Sequence, residues 1–406
     1  MSSYVDASNS AVEHCETMAN LHADLAEVYH EIAEQCRQKL WHQLTVTILP
    51  FLSDSKNLRT TSEGTNSFLA LYDKVVTTVE KKLNQLSLAR IASAVADSLV
   101  ESDGTAAKVI LQNLLQDSER LGVPATIYIE SRLHLLSLNL LERAGGDFDK
   151  AQLQTIADVI KKNSNNLQEM NVDTSTTMVH SAHYECAMKY RKAVGPPEAF
   201  FQEALAYLNY TPMDDMESPH DLAMDLSLAA LTGEGVFHFG NVVTTPILTA
   251  LENTPEAWLM EFMHAMAKGD VVLFNNLSEK YAAQIQSQPA LVHRADAVKE
   301  KITLLALVNM VFERPSAERT LTFPEVADRI HVHLDQVELV VMRALSLKLI
   351  EGCLDQVSQT VQVTWVMPRV LTPDQLQDLG QRFAQWAIKV SSASDYMGEH
   401  TPALFT

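Results

Sequence analysis

Between Ile302 and Val390 the chain carries a succession of helix starts, helix stops and strand-like runs whose order leaves few folds open. Lys301 to Phe312 is apolar with few interruptions and ends at Glu313-Arg314-Pro315, far short of a membrane span. Arg319-Thr320-Leu321 reads as a short strand. Thr322-Phe323-Pro324-Glu325 is a capping box, in which the hydroxyl takes the third helical N–H and the glutamate reaches back; it opens a helix through Val326 and Ile330. Asp335, with Glu338 three residues on, marks the next start, for a helix carrying Val337, Val340, Val341, Ala344, Leu345 and Leu347 that stops near Gly352. Cys353 to Val357 and Val361 to Val366 then read as strands, the second alternating Val361, Val363 and Trp365 with Gln362 and Thr364. Helix, strand, helix, helix, hairpin is the order of a winged helix, predicted here over about 302–371.

A further helix is predicted over 372–390. Thr372 is placed to cap, Pro373 sits at the first helical position where its missing N–H costs nothing, and Gln375 closes a second capping box. Leu376, Leu379, Phe383, Trp386 and Val390 follow at spacings of three, four, three and four. That is a heptad seam, narrower than the stripe a globular helix usually buries. Two heptads pack in cis as well as in trans, so the helix folds back on its own domain or lies against another chain. Gly380 weakens it in isolation by roughly 1 kcal/mol. Residues 391–406 read as a flexible tail.

Winged helices are associated with nucleic acid, and the charge argues against that use. The helix that would enter a groove carries only Arg343 and Lys348, with Glu338 in its first turn, and Ser358 to Val366 has no Lys or Arg. The chain has net charge −20, and no Lys/Arg patch of the kind counterion release needs is clustered in this domain. A hydrophobic share of 47% with 20% charged residues is that of a globular chain, and 406 residues suffice for two or more units. Cys15, Cys36, Cys186 and Cys353 are scattered and read as reduced, mostly buried thiols of a cytoplasmic or nuclear protein. Neither a signal peptide nor a membrane span is expected.

The first three hundred residues read as helix after helix. Leu21, Leu25, Val28, Tyr29, Ile32 and Cys36 form one face of a helix running on toward Pro50, and Ser53 to Asn66 is a polar connection. Loops are predicted at Ser102-Asp103-Gly104, Gly122-Val123-Pro124, Ala144 to Asp147, Asn163 to Asn166, Gly195-Pro196-Pro197 and Thr211 to Pro219. Between them lie stripes at helical spacing, such as Ala107, Ile110, Leu111 and Leu114. One helix per ~20 residues, a pair per ~40, is the period of a tetratricopeptide-like solenoid, with an irregular bundle as the alternative.

The sequence carries no catalytic constellation. His331-Val332-His333 resembles the start of a metalloprotease zinc motif, but Val341 and Ala344 stand where its Ser and Asp would be, leaving turn histidines facing solvent. His180, His183 and Cys186 share a helical stripe and read as core. No phosphate loop is present, and Gly233-Glu234-Gly235 lacks a third glycine and a preceding strand. Neither cofactor nor metal is expected.

Several long blocks carry a resemblance: Asp221 to Gly240, Pro246-Ile247-Leu248, Trp258-Leu259, Val337 to Ser346 and Thr364 to Leu371. Over about Phe200 to Val390 the chain resembles the non-ATPase subunit 13 family of the 26S proteasome, PCI-domain subunits of the regulatory-particle lid. The resemblance implies a mainly α fold: a TPR-like region over 21–210, a PCI domain over 211–371 made of a helical stem and the winged helix, and a C-terminal bundle helix; the stretch 1–20 ahead of these reads as an extension. It implies a scaffold without catalytic residues, whose partners are other PCI lid subunits, the deubiquitinating subunit pair and a ubiquitin receptor, with neither nucleic acid nor membrane. Carried over as interface residues are Val361, Val363 and Trp365 of the wing and Leu376, Leu379, Phe383, Trp386 and Val390 of the seam. The same architecture fits subunits of the signalosome or of translation initiation factor three, and Gly233 to Gly240 favours the proteasome. A messenger-export type of PCI protein would need a basic wing.

Overall fold

A computed structural model describes residues 2–59, 66–100, 102–116, 118–145, 150–170, 172–173, 176–216, 218–315, 318–370 and 373–400. The chain divides into two compact units, Met1–Met216 and Glu217–Thr406.

The first unit is helical among its described residues. Its main helices are α1 (Ser2–Leu21), α2 (Ala26–Gln38), α3 (Trp41–Ser53), α4 (Gln85–Leu99), α5 (Gly104–Gln116), α6 (Ser118–Ala144), α7 (Lys150–Glu169), α8 (Thr177–Val194) and α9 (Pro197–Tyr210). Each packs on helices one or two places away in sequence, as in a solenoid. One core runs from α1 into α6 through Tyr29, Ile32, Leu44, Ile48, Ile91, Leu111 and Leu121. Arg132 of α6 joins three helices, donating to Ser93 (3.0 Å) and Asp97 (2.6 Å) of α4 and to Glu185 (3.1 Å) of α8.

Local chemistry sets the breaks. Asp103 caps α5 through its carboxylate, which takes the N–H groups of Thr105 and Ala106. Gly122, at φ 69°, interrupts α6. Residues 21 to 50 do not form one helix: Lys39 turns left-handed at φ 60°, and the Leu40 N–H reaches back to the Gln35 carbonyl, a Schellman closure made without glycine. Asn163 to Asn166 is not a loop but lies within α7, where Asn163 is buried. Residues 2–21 form α1. Ala11, Cys15, Met18 and Ala19 sit in the main core, a stripe of mostly small side chains that lets α1 approach α2 closely.

The second unit contains α10 (Pro219–Thr232), α11 (Ala257–Lys268), α12 (Val271–Lys280) and α13 (Ala295–Glu313), followed by β1 (Thr320–Thr322), α14 (Phe323–Ile330), α15 (Leu334–Ser346), β2 (Ile350–Asp355), β3 (Thr360–Val366) and α16 (Pro373–His400). From α13 to β3 this is the winged-helix order. The Thr322–Glu325 capping box forms as expected, with the Thr322 N–H 3.1 Å from the Glu325 carboxylate and the Glu325 N–H 3.4 Å from the Thr322 hydroxyl. In α15 the helix begins at Leu334, so Asp335 lies inside the first turn, facing the helix dipole, and is not the cap. Buried Lys301 of α13 donates to the Ala230 (2.8 Å) and Leu231 (3.1 Å) carbonyls, and Arg294 to that of Thr232 (2.8 Å), satisfying the C-terminal end of α10.

The sheet is antiparallel in the order β1-β3-β2. Gly352 belongs to β2 and does not end the preceding helix: a Cβ there would lie 2.1 Å from the Gln362 carbonyl, and the register shifts between Glu351 and Gly352. A helix end takes glycine for a left-handed backbone and a close backbone approach takes it for want of a Cβ, so the residue alone could not tell the two apart.

Candidate protein-docking surface

The terminal helix α16 runs from Pro373 to His400, so residues 391–400 continue the helix and are not a tail. At 1.5 Å per residue its 28 residues span about 42 Å. Its expected cap Thr372 lies outside the described residues. Along it, Leu376 (55%), Leu379 (38%), Phe383 (61%), Trp386 (65%) and Val390 (46%) are all exposed, so the seam does not fold back on its own domain. Three further apolar residues were missed: Ile388, Tyr396 and Met397, all exposed. Met397 lies seven residues past Val390, with Ala393 between, and so extends the seam by a heptad. That signal was available in the sequence but hidden by the serines around it. Tyr396 stacks on His400 at 4.0 Å.

The chain leading to α16 is tied down. Arg369 donates to the Ala267 carbonyl at the end of α11 (2.6 Å), and Val370 lies against Gly240, where a Cβ would be 2.8 Å from the Val370 side chain. The Gly233 to Gly240 block thus includes a seat for the strap that follows the wing.

The wing residues divide. Val361 (1% exposed) and Val363 (3%) point into the winged-helix core, whereas Trp365 is 41% exposed. Because β3 is paired on both sides, the sheet's outer edges belong to β1 and β2. On α15, the helix that would enter a nucleic-acid groove, Leu339 and Met342 are exposed, and Arg343 is held by Glu300 (2.7 Å). Exposed apolar groups beside a neutralised cation suit a protein surface better than a phosphate backbone.

The histidines and cysteines fall where packing places them. His331, left-handed at φ 52°, closes α14, and His333 precedes α15; both are exposed. His180 and His183 are buried, and His180 stacks on Tyr210 at 4.8 Å. Burial, then the neighbouring His180, pulls His183 down to about 4, so it is neutral at ordinary pH. Burial also pushes the Cys15 and Cys186 thiols up to about 12 and that of Cys36 to about 11, which makes them inert. Cys353 departs from the pattern and is exposed on the β2 edge. Among the described residues no three of His, Cys, Asp and Glu converge as metal ligands, and no helix is long and apolar enough to cross a membrane.

Two family models match. Residues 28–263 fit the PSD13 N-terminal repeats and residues 278–365 fit the PCI domain. The chain is 32% identical to 26S proteasome non-ATPase regulatory subunit 13 homolog B of Arabidopsis thaliana, over 97% of this chain and 99% of that one. It is 29% identical to 26S proteasome non-ATPase regulatory subunit 13 of Dictyostelium discoideum, over 95% and 96%. Similarity to eukaryotic translation initiation factor 3 subunit M of Yarrowia lipolytica, 27% identical, is confined to 40% of this chain. With helical repeats, a winged helix in the PCI region and relatives matched end to end, this chain belongs to the 26S proteasome non-ATPase regulatory subunit 13 family.

Proposed function

We propose that the chain is a non-catalytic structural subunit of the proteasome regulatory-particle lid, supporting ubiquitin-dependent degradation in cytoplasm and nucleus. Its partners in this reading are other PCI lid subunits, the deubiquitinating subunit pair and a ubiquitin receptor. The observation that carries the proposal is the uncovered seam of α16, five apolar side chains in heptad register with none buried. Such a seam is a hazard in a lone chain and a source of binding energy in an assembly. Leu376, Leu379, Phe383, Trp386 and Val390 are its contact residues. Trp365 adds a second contact at the wing, while Val361 and Val363 serve the winged-helix core.

Native mass spectrometry of complexes purified through a tag on Met1, comparing the full chain with one ending at Leu371, tests this. Lid subunits with the full chain and none with the truncation are expected. Lid subunits recovered equally with both would refute the role of α16. Recovery of translation initiation factor subunits instead would favour the reading that the partial match to subunit M supports.

A further inference from the structure

A cleft of about 530 Å³ opens in the second unit where the end of α11, the start of α12, the ends of α13 and α14 and the Arg369-Val370 strap meet. Its lining combines apolar groups (Val271, Val272, Phe312 and Val370) with the guanidinium of Arg369. That guanidinium is half satisfied. Nη2 donates to the Ala267 carbonyl, while Nη1 is out of solvent and has no hydrogen-bond partner among the described residues. Burial lowers the Arg369 pKa to about 10, with no acidic neighbour acting in the opposite sense.

Three carboxylates line the cleft and none acts on Arg369: Asp328 is exposed to solvent, and the other two are engaged elsewhere. Glu313 takes Arg329 at 3.2 Å, and Asp270 accepts the Leu273 N–H at 2.9 Å, capping α12. A partly buried cation without a counter-charge is costly, and the strongest relief is a carboxylate binding the planar fork. A space of this size holds a few residues of a peptide and is larger than a simple ion needs.

We propose that this cleft receives a carboxylate-bearing apolar segment of a partner polypeptide, its carboxylate on Arg369 and its side chains against Val271, Val272 and Phe312. Docking there would join the helical stem to the winged helix through a third party. It does not involve the α16 seam, so its success or failure is separable from lid assembly.

The test is calorimetric titration of the full chain with acetyl-Leu-Phe-Asp bearing a free terminal carboxylate, and with the same tripeptide as the terminal amide and with Asn in place of Asp. The acid is expected to bind, and the uncharged peptide about tenfold or more weaker. Arg369→Met should lose the preference for the acid. Because Arg369→Met also removes the bond to Ala267 and could unfold the strap, Val272→Asp provides a second variant. Val272 is 51% exposed, so the fold tolerates the change, and the added charge should repel the acid. Equal binding of acid and uncharged peptide, absence of binding by the acid at millimolar concentration, or indifference to Val272→Asp would overturn the proposal. Sodium sulfate binding as tightly as the peptide would also overturn it, marking an inorganic-anion site.

Discussion

Replacing Phe383 and Trp386 together by alanine removes the two largest side chains of the α16 seam while leaving the helix intact, because alanine is the best helix former. Phe383 is 61% and Trp386 65% exposed, so most of each ring is still in water in the free chain. An aromatic side chain offers about 200 Å² for burial, which leaves about 120 to 130 Å² per ring for a partner to cover. At ~25 cal/mol per Å² that is ~3 kcal/mol for each. Ordering the side chains takes back ~1 kcal/mol apiece. The net loss in the double variant is therefore ~4 kcal/mol, close to a thousandfold in association. Free-chain stability should change by less than ~0.5 kcal/mol, since neither ring supports the core. Wild-type and variant chains carrying different tags, expressed together, would compete for the same complexes, and quantitative mass spectrometry of each tag would report the ratio. The variant should be nearly absent from assembled complexes while its isolated Tm is unchanged. Equal incorporation, or a large fall in Tm of the free chain, would refute the reasoning.

Lys301→Met should destabilise the second unit by ~1–3 kcal/mol, because the Ala230 and Leu231 carbonyls lose a buried donor; an unchanged urea midpoint would contradict this. His220 lies 3.3 Å from both Asp221 and Glu256, and the Asp221 carboxylate, then Glu256, raises its pKa above the ordinary 6.5. Its stabilising contribution is thus complete below pH 6.5 and is lost as pH rises through the folded-state value. His220→Gln should accordingly lower Tm at pH 5.5 and leave it unchanged at pH 9, which a Tm series across that range would check. Under native conditions iodoacetamide should modify Cys353 and spare Cys15, Cys36 and Cys186 until the chain unfolds, as peptide mass spectrometry would record.

What could be read from the sequence was mostly what is decided locally. The Thr322–Glu325 box and the breaks at Ser102-Asp103-Gly104 and Gly195-Pro196-Pro197 each depend on a few adjacent residues, and each forms. The order of elements in the winged helix follows from such signals strung together. What escaped depends on contacts between distant residues. Lys39 adopts a glycine-like conformation because α2 and α3 pack where they do, and nothing in a lysine announces it. Alternation alone puts Val361, Val363 and Trp365 on one face of β3, but the register shift that skips Thr364 breaks the alternation, leaving Val361 and Val363 buried and Trp365 exposed, and nothing within β3 announces it. The seam was legible from Leu376 to Val390 because heptad spacing is a property of one helix alone. Its exposure is a property of the folded chain.

The bulge at Gly352 and the brevity of β1 have a bearing on how the chain avoids its own kind. An open sheet edge is a template for any strand that meets it, and a chain made in quantity before its partners are at hand runs the risk of stacking edge to edge. Here one edge is three residues long and the other is kinked by the shifted register between Glu351 and Gly352. Neither offers a long, flat run of free N–H and carbonyl groups. The sheet is shielded from self-propagation by a three-residue edge on one side and, on the other, by a ladder broken where Thr364 is skipped.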